Sequence, residues 1–193
     1  MPWAELPPSA AWQHEGSRSG FEVVWSGRRD EGHLLTGRTV AVQDGRPWSV
    51  DYEVLVDAAW RTRLARVTGR SAVGSRSVRL LNDGQGRWQV DGRAEPLLDG
   101  CLDVDLEASA VTNAFPVRRL GLAPGERATA PAAYVRAETL TVERLAQDYR
   151  RRDEDGPGQS YDYAAPAFDF ACRLRYDDAG LVVDYPGIAV RAG

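Results

Sequence analysis
The clearest pattern in the chain is an alternation of apolar and polar positions with a period of two. Trp48, Val50, Tyr52, Val54 and Val56 take every second position, with Ser49, Asp51, Glu53, Leu55 and Asp57 between them. That spacing turns one aromatic and aliphatic face toward a core and one mostly polar face toward water, the signature of a half-buried strand. Phe168, Phe170, Cys172, Leu174 and Tyr176 repeat it, with Asp169, Ala171, Arg173 and Arg175 on the other face. Further strands are predicted over 21–26, 34–42, 62–67, 75–81, 87–90, 132–136, 139–149 and 181–183. Turn residues separate many of them, most densely at Asn82-Asp83-Gly84-Gln85-Gly86. The stretch 150–158, charged and then rich in Gly and Pro, reads as an exposed hairpin loop.

One segment departs from strand chemistry. Thr112-Asn113 offers a helix cap, while Pro116 and Gly121 limit the helix that follows to a turn or two. The prediction is therefore an all-β single domain over 1–193 with one or two short helices. An internal echo also appears. Arg79-Leu80, Asp83 and Gly86 recur as Arg173-Leu174, Asp177 and Gly180 at the same mutual spacing. A duplicated strand–turn–strand unit would produce it, and so would turn chemistry alone.

Composition narrows the function more than the fold. The 193 residues are 43% apolar and 27% charged, with a net charge of −4, so a broad electrostatic footprint for nucleic acid is not expected. All 24 basic residues are Arg, which excludes Schiff-base lysine chemistry and lysine phosphate loops. No apolar run approaches the ~20 residues of a membrane span, and the N-terminus lacks the pattern of a secretory signal. A cytoplasmic protein without stable membrane insertion is expected. Cys101 and Cys172 read as buried free thiols, and His14 and His33 as surface or loop residues.

Catalytic signatures are sparse. Gly16-Ser17-Arg18-Ser19-Gly20 centres on Arg and is no nucleophile elbow. As a strand, 102–106 puts Asp103 and Asp105 on one face and Leu102, Val104 and Leu106 on the other. With Ala108 and Ala114 at key positions, this acidic stretch fails as a calcium loop, so neither a metal nor a cofactor is expected. The two aspartates and Arg118-Arg119 form a candidate ion-pair cluster. Consecutive arginines cannot share a face, so one is expected to point inward to Asp103 or Asp105 and the other outward.

Several of these stretches resemble the glycolipid-binding family, a bacterial group. Gly100-Cys101-Leu102-Asp103-Val104-Asp105-Leu106 is similar to the family's Gly-Cys-x-Asp-Val-Asp core. The run Thr112-Asn113-Ala114-Phe115-Pro116-Val117-Arg118-Arg119-Leu120 resembles its Thr-Asn-x-x-Pro-x-Arg-Arg-Leu block. Asp57-Ala58-Ala59-Trp60-Arg61-Thr62, Gln147-Asp148-Tyr149 and Gly180-Leu181-Val182-Val183-Asp184-Tyr185-Pro186 extend the likeness to the C-terminus. Two stretches differ from the family: Ala108-Ser109-Ala110-Val111, where Ser-x-Thr-Pro-Phe is usual, and Ile188, where an aromatic is common.

The resemblance implies a strongly curved antiparallel sheet forming an incomplete or flattened barrel that holds an amphipathic lipid, with or without a sugar. Burying ~10 methylenes would supply about 8 kcal/mol before ordering costs, enough for binding of micromolar order. Aromatic residues and the matched motifs give the candidate ligand contacts: Tyr52, Trp60, Asp103, Asp105, Asn113, Arg118, Arg119, Gln147, Tyr149 and Tyr185. The outward arginine would meet the head group. Binding without catalysis is the expectation; the alternative is a lipid hydrolase or transferase using Asp103 and Asp105.

Overall fold
The computed structural model describes residues 3–30, 32–153 and 158–193. The first half is a meander of antiparallel strands: β1 (Ser9–His14), β2 (Arg18–Arg29), β3 (Gly32–Gln43), β4 (Arg46–Asp57), β5 (Thr62–Ser71), β6 (Gly74–Asn82), β7 (Trp88–Val90) and β8 (Arg93–Ala94). β9 (Asp103–Leu106) leaves this meander and leads into the helix α1 (Ala114–Leu120). The second half holds β10 (Arg127–Thr129), β11 (Ala132–Val135), β12 (Val142–Leu145), β13 (Asp148–Arg151), β14 (Gln159–Ala165), β15 (Phe170–Tyr176), β16 (Val182–Tyr185) and β17 (Ala189–Arg191). β17 pairs with β1, so the two halves join into one 14-stranded antiparallel sheet ending at β10 and β8. Those two edges do not pair, and the curved sheet is a barrel left open.

A second sheet, in the order β12-β11-β9, packs with α1 against the inner face of the large one. Here β9 runs parallel to β11, with Asp103 opposite Ala132 and Leu106 opposite Val135. Val104 and Leu106 join Val50, Val54, Val67 and Leu80 in one core; Tyr149, Tyr161, Leu174 and Tyr176 gather around Val117 in another. Alternation in β4 is as the sequence predicts, with Trp48, Val50, Tyr52, Val54 and Val56 all buried.

Four local readings need correction. The stretch 139–149 is not one strand: β12 and β13 lie in different sheets, and the chain changes sheet between Leu145 and Asp148. Phe168 does not begin the alternating strand. Asp169 takes a left-handed conformation (φ 48°), and β15 starts at Phe170. His14 is buried rather than at the surface, and accepts a hydrogen bond from Arg18 Nε at 3.3 Å. Burial and the neighbouring Arg18 cation push its pKa down to about 4, so the ring is neutral. Cys172 is only half-buried, whereas Cys101 is buried; both are free thiols. Of the predicted hairpin loop, 154–157 lies outside the described residues; β13 and β14 on either side pair as a hairpin.

The internal echo has a local cause. Asp83 and Asp177 each accept a side-chain hydrogen bond from the backbone four residues on, Arg87 N and Leu181 N. In both turns the aspartate N–H also donates to the carbonyl of that same residue. The same Asp-closed turn, built twice, accounts for the match.

One glycine is set by the core. Gly37 stands opposite Tyr52 in the β3–β4 register, and a Cβ there would lie 2.2 Å from the tyrosine ring. The bare backbone lets the ring lie across β3, where its hydroxyl donates to buried Glu22 at 2.5 Å. Gly37→Ala would push the ring off and break that bond. The expected cost is about 2–3 kcal/mol, seen as a melting temperature lower by several degrees. An unchanged melting temperature would contradict this packing.

Candidate functional site
The inner face of the barrel is not completely filled. A partly enclosed cavity of about 210 Å³ lies between β9, β11, β14–β16 and the ends of β2 and β3. Asp105 is one of its lining groups. Asn113, Ser109, Arg18 and Glu107 add further polar groups, and Tyr134, Tyr163, Phe168, Phe170 and Tyr185 supply aromatic rings. A cavity of 300 Å³ or less holds a small polar group more readily than a long acyl chain, since pockets for drug-sized molecules run to roughly 300–1,000 Å³.

Among the described residues, Asp105 is held by neutral donors alone. Thr112 Oγ1 donates to Oδ1 at 2.8 Å and Gln147 Nε2 to Oδ2 at 2.7 Å. Burial disfavours its charged form, and Glu107 and Asp103 add like charge, so its pKa rises to about 6. The residues that the sequence offers as helix caps are spent on this site. Neither makes a cap hydrogen bond to α1; Thr112 binds Asp105, and Asn113 Oδ1 accepts from Tyr149 at 3.3 Å. Pro116 is tolerated because it falls in the first turn, where backbone N–H groups have no helical partner.

The loop before α1 is anchored by a buried acid. Glu22 is inaccessible to solvent; it accepts from Tyr52, from Ser109 Oγ and, at 2.6 Å, from Ala110 N. Burial pushes its pKa up, and those three donors oppose the rise. Thr39 Oγ1 donates to the Ala108 carbonyl at 2.6 Å, a second tie to the same loop. Arg18 extends from β2 into the cavity, with Nε on His14 and NH1 on the Glu107 carbonyl at 2.7 Å.

The ten candidate contacts therefore separate. Asp105, Asn113 and Tyr185 line the cavity. Gln147 and Tyr149 stand directly behind it, Gln147 bridging Asp105 to the Tyr163 hydroxyl. The other five lie elsewhere. Tyr52 is committed to Glu22. Asp103 and Arg119 form a buried pair through two hydrogen bonds, at 3.1 and 2.5 Å. Arg118 stacks on Trp60 with its guanidinium carbon 4.0 Å from the ring, and donates to the carbonyls of Ala179 and Ala4. Trp60 is held at φ 63° between that guanidinium and His33, whose ring is 4.8 Å away. The two arginines do point to different places, but Arg118 ties the N-terminal segment down instead of facing the cavity.

Arg18, Glu107, Ser109, Tyr134, Tyr163 and Phe170 are cavity residues that the sequence reading missed. Glu107 continues the Asp103–Asp105 alternation, a signal that was present. Arg18 had none, because its strand approaches β9 only in the folded barrel. Both departures from the family pattern fall on the lining, at Ser109 and Ile188.

A larger concavity of about 1040 Å³ lies on the outer side of β10 and β13–β15, edged by Arg127, Arg150 and Arg173. It is an open saddle whose Asp162 is engaged by Arg152 and Arg173. Converging polar groups favour the smaller, inner cavity as the site. Among the described residues, no three His, Cys, Asp or Glu side chains gather as a metal cluster, and no helix is long and apolar enough to cross a membrane.

Fold and cavity define the molecule as an open, barrel-like β protein with a partly enclosed chamber lined by polar and aromatic groups. The chain belongs to the family described as "Putative glycolipid-binding", whose model matches residues 9–191. It is similar to the crystal structure of a DUF1089 family protein from Pseudomonas aeruginosa. The two are 36% identical with a TM-score of 0.74, over 100% of this chain and 98% of that one. A beta-barrel-like protein of the DUF1849 domain from Brucella abortus shares the fold at 12% identity and a TM-score of 0.58, over 98% and 95% of the two chains. No curated protein sequence matches the chain.

Proposed function
We propose that this protein binds a glycolipid by its head group, taking a sugar ring into the inner cavity, and that it binds without turnover. The observation carrying this reading is the convergence of Asp105, Asn113 and Arg18 with several aromatic rings on one chamber of about 210 Å³. Sugars present hydroxyls around their edges and C–H groups on their faces, which suits polar groups interleaved with rings. The family description supports the same class of ligand.

The acyl part is left to the surface. Arg18 and Gln43 pair at the cavity rim, and along the outer face of those strands Phe21, Val40 and Val42 are 52%, 48% and 44% exposed. A tail leaving the chamber over that rim meets this apolar strip.

Titration calorimetry with alkyl glucosides of increasing chain length tests the proposal. Saturable 1:1 binding is expected, absent for the matching alkanol. Two added methylenes should tighten it up to about fifteenfold, since each buried methylene contributes about 0.8 kcal/mol. Equal binding of alkanol and glucoside would refute the head-group reading.

A further inference from the structure
We propose that the head group carries a basic amino group, as an amino sugar does, and that Asp105 receives it beneath the rings of Tyr163, Phe170 and Tyr185. This rests on the reading of the cavity as a sugar site and specifies the ligand.

The reason lies in how the interior carboxylates are answered. Asp103 is paired with Arg119. Glu22 accepts three hydrogen bonds and feels the Arg18 cation. Glu107 accepts from Ala137 N at 2.8 Å and has Arg136 at 3.9 Å. Asp105 receives two hydrogen bonds from neutral groups and, among the described residues, has no cation within ion-pair distance. Its neighbours along the chain, Asp103 and Glu107, add like charge. The titratable groups facing it from the neighbouring strands are phenols: Tyr134 on β11, Tyr149 on β13, Tyr163 on β14, Tyr176 on β15 and Tyr185 on β16. Arg18, which lines the same cavity, donates to the Glu107 backbone carbonyl, and Arg136 lies against the Glu107 carboxylate.

The rings complete the case. Tyr163, Phe170 and Tyr185 form a triangle with centroids 6.0–6.3 Å apart, and all three line the same cavity as the carboxylate. Ring faces attract a cation within roughly 6 Å of the centroid, and a carboxylate beside them supplies its counter-charge. An ammonium there would restore Asp105 to its ionised form, which burial otherwise resists. An anion at Arg18 is the competing arrangement. It is disfavoured because it would also face Glu107 and Glu22, and because Arg18 already donates to His14 and Glu107.

The experiment is calorimetry at pH 7 on the full chain with four octyl glycosides: the glucoside, the 2-amino-2-deoxyglucoside, its N-acetyl derivative and the glucuronide. Circular dichroism checks that each protein is folded. The amino form is expected to bind at least tenfold tighter than the neutral glucoside and the N-acetyl form. In Asp105→Asn that ratio should fall to about one. A second readout is the carbon NMR signal of the Asp105 carboxyl group, whose titration midpoint should drop below pH 5 when the amino glycoside is added. Equal affinities for all four, tightest binding of the glucuronide, or a preference that survives Asp105→Asn would each overturn the inference while leaving the sugar-site reading standing. No binding of any of the four would remove both.

Discussion
Arg119→Ala is expected to destabilise the protein by about 3–5 kcal/mol at neutral pH, the usual cost of leaving a buried charge without its partner. Asp103, with its side chain 2% exposed, depends on that guanidinium for both of its side-chain hydrogen bonds. Burial pushes the Asp103 pKa up and Arg119 pulls it down. Without the arginine only burial remains, so the carboxyl group should take up a proton. The variant should therefore recover part of its deficit as the pH is lowered. Asp103→Asn in the same background should recover part of it at neutral pH. Arg118→Ala, which loses a stack on Trp60 and two carbonyl acceptors, should cost about 1–2 kcal/mol, with no such rescue. Urea unfolding of the four proteins at pH 5 and 7.5 decides the matter. Equal losses from the two arginine variants, independent of pH, would show that the Asp103 pair is not what Arg119 supports.

Asp105→Asn should do the opposite and make the protein more stable. The folded-state pKa of about 6 lies above the ordinary carboxylate value of 3.8, so the folded protein holds this proton more tightly than the unfolded chain. Well below pH 4 both states are protonated, and the group is neutral in its effect. Between about pH 4 and 6 the folded state loses stability as pH rises. Above pH 6 the cost stays at about 3 kcal/mol. Asparagine removes that cost. Its amide can still accept from Thr112, and Gln147 can turn its own amide over to meet it. The expected gain is up to about 3 kcal/mol at pH 7.5, several degrees in melting temperature, shrinking to nothing near pH 4. A variant equally or less stable than the parent at pH 7.5 would contradict the assignment. A carboxylate that weakens the free protein and lines the inner cavity fits a binding role for Asp105.

What the sequence determined by itself was the strand content and the short helix. Period-two alternation and turn residues are local, and the backbone obeys them wherever the strand ends up. That is why the faces of 48–56 and 170–176 were legible, and why the helix stopped at Gly121, which takes the left-handed conformation (φ 55°) that ends a helix. The inward turn of Arg119 to Asp103 was legible for the same reason, because neighbours on a helix cannot share a face; the place of Arg118 against Trp60 and the N-terminal segment was not. The break inside 139–149 was not: two short strands in different sheets and one continuous strand have the same alternation, and only the pairing partners distinguish them. The cavity also belonged to tertiary structure. Arg18 and Asp105 lie 87 positions apart in sequence, brought to one chamber because β17 closes on β1 and carries the second half of the sheet round to the first. Thr112 and Asn113 read as caps until β9 and β13 offered them Asp105 and Tyr149. A half-buried carboxylate and a buried phenol take these two side chains away from the helix end, and that competition is settled only when the barrel has formed.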